Sequence, residues 1–311
     1  MDMIPFESKA QIKMPPKTKI SHSLWIDAWH QFRRCHLALL GSLILIILVL
    51  CTLLGPLIWH IQADYIDLAQ VMKGPSTLHP MGTDDLGRDI FSRALLGGRI
   101  SIAVAVTTTT ISLLMGTLIG VFSGFFGGLV DSFLMRMTDL FISLPQLPLL
   151  LLVIFLFRDT LRKIVGPELG IFLLIVALIG GLTWMPTARI VRAECRHLKQ
   201  QEFVEAAIAL GASNSRLMFR HILPNTISPL IVSAILSIGS AIITESTLSF
   251  LGLGFPPDVP TWGRMLYDSY NYLEIAPHMA LFPGALIFVT VLSINYVGDG
   301  LHNISNPKSR H

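Results

Sequence analysis

Six apolar runs divide this chain, at about 37–59, 99–126, 133–157, 169–189, 226–251 and 278–300. Each approaches or exceeds the roughly 20 residues a helix needs to cross the hydrocarbon core of a bilayer. Lipid offers no water to satisfy free backbone groups, so such a run must close its hydrogen bonds within itself. The expected fold class is an all-α polytopic membrane protein with six transmembrane helices. Composition agrees: charged residues are 14% of 311, against about 25% in ordinary globular domains. A net charge of +3 is too small to point to nucleic acid. Three cysteines, Cys35, Cys51 and Cys195, are an odd, scattered set and form neither a disulfide framework nor a metal site by spacing.

The segment before the first run is polar and holds Pro15, Pro16 and several lysines. The run that follows is too long for a signal-peptide core, so it reads as an uncleaved first membrane helix. Residues 1–36 are expected to be a tail on the cytoplasmic side. Within it, Leu24, Trp25, Ala28, Trp29 and Phe32 share a helical face suited to a membrane surface. Lysine and arginine placement sets orientation. With the N-terminus inside, fifteen basic residues fall on the inner side and eight on the outer, so both termini are expected to be cytoplasmic. Residues 60–98 then form the first outer loop, 99–307 a five-helix core, and 190–225 an inner loop within it.

Ser112, Gly116, Gly120, Gly124 and Gly128 recur every four residues in the second span. They make a small-residue groove through which helix backbones approach closely in lipid. The spacing fits packing within the chain, with a second subunit as the alternative. Glu245 stands in the fifth span, where a carboxylate is costly unless paired, protonated or facing water; it is either part of a translocation path or close to the outer interface. In the first outer loop Asp84, Asp85, Arg88, Asp89 and Arg93 cluster. Asp85 and Asp89 share a face if that stretch is helical. The cluster reads either as a docking surface or as a self-paired cap.

The inner loop is a polar, basic island between apolar spans. Phe203, Ala206, Ala207 and Leu210 recur at helical spacing. Glu202 and Glu205 lie near the start of that helix, where the dipole favours acids. Gly211 ends it. Ser213 caps a second short helix, and Pro224 is expected to stop that one before the fifth span.

Here the residues resemble a family. Glu205-Ala206-Ala207, then Gly211, then Leu223-Pro224 are similar to the EAA motif of bacterial importer permeases of the ATP-binding-cassette type. His221 stands where the motif usually has isoleucine, with Ile222 beside it. The stretches 82–101, 245–263 and 295–301 resemble segments of the C-type permeases of the dipeptide, oligopeptide and nickel branch. The likeness covers about Ser23 to Pro307. It implies a MetI-like permease fold in the bacterial inner membrane. It implies, as partners, a second permease subunit, one or two ATPase subunits and an extracytoplasmic binding protein. The loop would be the coupling helix that inserts into a cleft on the ATPase. Glu205 would meet a basic group there, Ala206 and Ala207 would permit close approach, and Gly211 would set the angle between the two short helices. The expected cargo is a di- or oligopeptide, with a glutathione-type or nickel-chelate cargo as the alternative within the branch.

Rival classes find less support. No phosphate-binding GK[ST] loop is present, so ATP and magnesium would be held by the partner ATPase and this chain would carry no cofactor. No HExxH zinc motif occurs, and the ten histidines are scattered. Tyr267-Asp268 and Gly298-Asp299 superficially match an intramembrane aspartyl protease. The second pair, however, lacks the glycine two residues before Gly298, where Tyr296 stands. A secondary transporter would show inverted repeats and several intramembrane ionisable groups, of which Glu245 is the only good one.

Overall fold

A computed structural model describes residues 32, 33 and 35–305, with side chains as far as His302. The tail lies outside these residues apart from Phe32, Arg33, Cys35 and His36, and of its amphipathic stretch only Phe32 and Arg33 are described. Four helices are unbroken and long enough to span a bilayer: α1 (His36–Ile58), α2 (Ile90–Phe126), α8 (Asn214–Phe250) and α10 (His278–Ser305). Between α2 and α8 lie α3 (Gly128–Ser143), α4 (Gln146–Val165), α5 (Pro167–Gly181), α6 (Met185–Leu198) and α7 (Glu202–Ala209). The helix α9 (Trp262–Ser269) precedes α10. Among the described residues there is no strand, only one isolated bridge between Thr83 and Asp89.

The expected third and fourth runs are bent pairs. α3 meets α4 at 82° and α5 meets α6 at 41°, so the chain has up to six spans if each pair counts as one. Proline accounts for the first break. Pro145 has no N–H and pushes Leu144 out of the helical region, and Leu144 is extended at φ −72°, ψ 136°. The second break, at Leu182 to Trp184, precedes Pro186, which sits in the first turn of α6 where its missing donor costs nothing. Two further helices start before their apolar runs do. α2 begins at Ile90, capped by Asp89, whose carboxylate accepts from Ser92 N. At 37 residues it is about 55 Å long, far longer than a bilayer core.

The groove on α2 is filled by α6. A Cβ on Gly116 would lie 2.7 Å from Thr187 Cβ, one on Gly120 2.6 Å from the Ala188 carbonyl, and one on Gly124 2.8 Å from Cys195 Cβ. The pairs rise together in number, so α2 and α6 run parallel. The α7 loop and the α1–α2 connection therefore sit at opposite ends of α2. Gly128 faces open space and lies past the groove. The mid-core is aliphatic: Val104, Leu150, Ile154, Ile175, Ile179 and Leu248 join α2, α4, α5 and α8. α1 rests on α10 and α2 through Gly41 and Gly55, with Leu37, Ile46 and Leu57 turned outward. Such a flank suits lipid.

The α1–α2 connection is a compact cap. Asp85 and Asp89 do not share a helical face, contrary to the expectation from sequence: residues 84–88 form a turn, and Asp89 is the cap of α2. Asp84 accepts from Arg88 Nε at 2.6 Å and from the backbone N–H of Leu86 and Arg88. Asp89 accepts from Trp59 Nε1, His79 Nδ1 and Ser92. Arg93 lies 3.7 Å from Asp84 and 3.9 Å from Asp268. Asp84, Arg88, Asp89 and Arg93 are all buried, so the cluster is largely self-paired.

Candidate functional site

The α7 loop is anchored on one side and open on the other. Val204 and Ala207 turn inward onto Leu217, Met218 and Ile222, and this group continues into Val121, Phe125, Val191 and Cys195 of α2 and α6. Phe203, Glu205, Ala206, Ile208 and Leu210 face outward, Leu210 with 89% of its surface exposed. The apolar positions expected to share a face are thus divided. Ala207 belongs to the anchor, while Phe203, Ala206 and Leu210 belong to the open face. Among the described residues Glu205 makes no ion pair.

Gly211 ends α7 at φ +80°, in the left-handed region that glycine enters without a Cβ penalty. Its N–H donates to the Ile208 carbonyl at 2.9 Å, and Ala212 N donates to the Ala207 carbonyl at 3.0 Å. This pair is the Schellman arrangement, and Ala212 packs against the apolar group to which Ala207 belongs. Ser213 then caps the next helix, accepting from Arg216 N at 3.4 Å.

Pro224 does not stop that helix, contrary to the expectation from sequence. The chain continues as α8 through a π turn at Leu217–Ile222 and a 3-10 turn at Leu223–Thr226. The wider turn absorbs the proline. Leu223 N–H reaches back five residues to the Met218 carbonyl, and the Asn225 side chain donates to the His221 carbonyl at 2.6 Å. The loop is thereby joined without interruption to a membrane-length helix. Pro224 is exposed.

Behind the loop stands a clamp that residue patterns did not single out. Asp131, buried in the first turn of α3, takes Arg192 Nε at 2.5 Å and Nη2 at 2.7 Å, Arg196 Nη2 at 2.5 Å, and the Ser123 hydroxyl. Lys199 donates to the Phe125 carbonyl at 2.8 Å. These bonds tie the end of α6 to the α2–α3 corner. The available signal was Arg192 and Arg196 at i, i+4; a partner 61 residues away in sequence gave none.

Glu245 is enclosed within the protein. It has no exposed surface and does not line the cavity between α2 and α8. Its carboxylate accepts from Ser249 Oγ at 2.7 Å and from Ser101 Oγ at 3.3 Å. Ser101 Oγ in turn accepts from Trp262 N at 3.4 Å. Glu245 is a sealed joint between α2, α8 and α9.

Residues 116–311 match the family of binding-protein-dependent transport system inner membrane components. Residues 23–75 match the N-terminal TM domain of oligopeptide transport permease C. The oligopeptide transport system permease OppC of Bacillus subtilis is 40% identical over 94% of this chain and 92% of its own length. The glutathione transport system permease GsiD of Pectobacterium atrosepticum is 36% identical over 91% of each chain. The dipeptide transport system permease DppC of Alkalihalophilus pseudofirmus is 35% identical over 95% and 94%. Among solved structures, an inward-facing MetNI methionine ABC transporter matches with TM-score 0.49 and 16% identity, over 68% of this chain and 95% of that one.

Proposed function

The chain belongs to the binding-protein-dependent transport system inner membrane components, and from that premise we propose that it moves short peptides into the cytoplasm as the permease subunit of an ATP-binding-cassette importer. Its relatives named for oligopeptide and dipeptide transport support the peptide cargo. The relative named for glutathione is the second reading, itself a small peptide. A partner ATPase binds ATP and magnesium; a second permease completes the pore and a binding protein delivers cargo. Both termini face the cytoplasm.

The observation that carries the reading is the two-sided α7. Its inner face is packed on Leu217, Met218 and Ile222 at the start of α8, so a displacement of α7 is passed to a membrane helix. Its outer face leaves Glu205, Ala206 and Leu210 uncovered, a small acidic and apolar patch fit for a protein cleft. Gly211 and its two hydrogen bonds keep the angle fixed.

The test is co-expression with the partner subunits. Wild type should bring an ATPase down on purification. Glu205→Lys reverses the exposed charge, and Gly211→Pro forces φ near −65° and deletes the N–H bound to Ile208. Both variants should insert yet lose peptide uptake at least tenfold while ATP hydrolysis persists. Wild-type uptake in both would refute the coupling role.

A further inference from the structure

α1 and α2 run antiparallel along a seam that ends at the cap. Gly55 packs on Leu95, and Gly98 packs on Thr52. The outward side of this seam is apolar: Leu50, Leu53, Leu54 and Leu57 of α1 and Val106 and Leu114 of α2 are exposed. A contiguous apolar surface of this kind marks contact with lipid or with another protein.

Arg99 stands in that surface. It lies on the outward stripe of α2, between Leu96 and Ala103, and is partly exposed. Its Nη2 donates to the Leu53 carbonyl at 2.7 Å. Its Nε is buried without a partner, while Nη1 makes no hydrogen bond and is not buried. Among the described residues Arg99 makes no ion pair. Arg88 and Arg93 of the cap, by contrast, both lie against Asp84. A cation at membrane depth is costly without a counter-charge, and the described residues supply none here.

Its depth is that of lipid phosphates. α1 has 23 residues and is about 35 Å long, slightly more than a hydrocarbon core of about 30 Å. Leu53 precedes the last residue of α1, Ile58, by little more than a turn, or about 8 Å. A guanidinium tied to its carbonyl therefore sits just inside the hydrocarbon boundary and not at the bilayer centre.

One turn nearer the water, a cavity of about 260 Å³ opens on the same seam. Pro56 and Trp59 form its α1 wall, Leu95 and Leu96 its α2 wall, and Gln62 and Asp64 close it from the cap. Asp64 is exposed and makes no ion pair among the described residues. Trp59 is fixed in place: its Nε1 donates to Asp89 at 3.0 Å, and its ring meets Phe91 edge-on at 4.9 Å. Tryptophan in such a position marks the membrane–water interface. From lipid to water the order is apolar flank, bare cation, small polar cavity, bare carboxylate.

We propose that this seam holds one phosphatidylethanolamine in the leaflet opposite the α7 loop, its phosphate on Arg99, its ammonium on Asp64 and its acyl chains along the leucines of α1. The order of groups in that lipid complements the order in the protein. A guanidinium binds phosphate oxygens through charge-assisted hydrogen bonds, and the phosphate gives Arg99 the counter-charge the chain lacks. Asp64 attracts the ammonium and disfavours a lipid of net negative charge, so phosphatidylglycerol is the weaker ligand. The site does not depend on the cargo, and failure of peptide uptake would leave it standing.

The experiment places the complete transporter in nanodiscs of equal phosphatidylethanolamine and phosphatidylglycerol. A trace of either lipid carries a photoreactive diazirine in its acyl chain, and the labelled residues are mapped by mass spectrometry. On wild type, labelling of the seam around Leu53 and Leu96 should be about threefold higher from the ethanolamine probe than from the glycerol probe. Arg99→Gln should lower seam labelling by both probes about tenfold and leave labelling near Leu40, at the far end of α1, unchanged. Asp64→Asn should keep the labelling but bring the two probes to equality. Should Arg99→Gln disturb labelling along the whole of α1, the Asp64→Asn ratio decides alone. Equal labelling of wild type by the two probes, full seam labelling of Arg99→Gln, or an unchanged ratio in Asp64→Asn would each overturn the site. A seam that neither probe reaches would overturn it as well, and would show that another subunit covers Arg99.

Discussion

The cap between α1 and α2 and the loop around α7 lie at opposite ends of α2. Each is polar, and each turns at a glycine with positive φ, Gly87 at +74° and Gly211 at +80°. They dispose of their charges in opposite ways. In the cap, Asp84, Arg88, Asp89 and Arg93 are buried; both arginines lie against Asp84, and Asp89 is held by Trp59, His79 and Ser92. In the loop, Glu205, Arg216 and Arg220 are exposed and make no ion pair among the described residues. The glycines differ in the same sense. A Cβ on Gly87 would collide with the Asp67 carbonyl, whereas one on Gly211 would meet nothing within 4 Å. Charge that is satisfied at home builds structure; charge that is held rigidly and left open builds an interface.

The sharpest way to break the contrast is to strip a charge from the cap. Asp84→Ala leaves Arg88 and Arg93 without their nearest carboxylate in a buried setting. Removing one member of such a pair costs about 3–5 kcal/mol, so the purified complex should melt at much lower temperature or fail to accumulate. Charge reversal at Glu205, which makes no ion pair among the described residues, should change the stability of this chain by no more than about 0.5 kcal/mol while uptake collapses. Similar melting points for the two variants would erase the distinction.

The α2–α6 seam lies between the two regions and should respond with intermediate size. Gly120→Ala drives a methyl to 2.6 Å from the Ala188 carbonyl and 2.7 Å from Val191 Cβ. Overpacking of this kind costs about 1–3 kcal/mol. Gly211→Ala meets no atom and suffers only the left-handed backbone, about 1 kcal/mol. Melting curves of the two variants side by side should rank them in that order.

What could be read from the chain follows from how local each signal is. The four long helices and the glycine groove were legible because hydropathy and a four-residue repeat are local patterns. The 82° bend was not. A hydropathy run sums across Pro145 without registering direction, although the proline itself was in plain view. α7 was legible as a helix ended by Gly211, but not as to which stripe it buries. A two-turn helix with Phe203, Val204, Ala207 and Leu210 has apolar residues on both sides, and only the tertiary contact with Leu217 and Met218 decides. Glu245 was legible as an expensive carboxylate, and Ser249 four residues on was in reach; that Ser101 also receives it depends on a contact 144 residues away. The cavity between α2 and α8 was the least legible part, because it is made where two helices stop.

The smallest expected effect falls on Asp85, the acid of the 84–89 turn that is left partly wet. Asp85 retains 26% side-chain exposure and lies 3.8 Å from Arg88, and its Oδ1 has no hydrogen-bond partner. Burial first, and then the neighbouring Asp84, push its pKa above the ordinary value of 3.8. A folded-state pKa above the unfolded one means that the native protein binds the proton more tightly. The contribution to stability is then complete below the unfolded pKa and is lost as pH rises through the folded one. Asp85→Asn imitates the protonated form at every pH. It should melt slightly above wild type at neutral pH, and the gap should narrow as the pH falls toward 3.8. A gap that widens on acidification, or a variant that melts below wild type at neutral pH, would show that the Arg88 contact outweighs burial at this position. Asp85 would then join the paired charges of the cap.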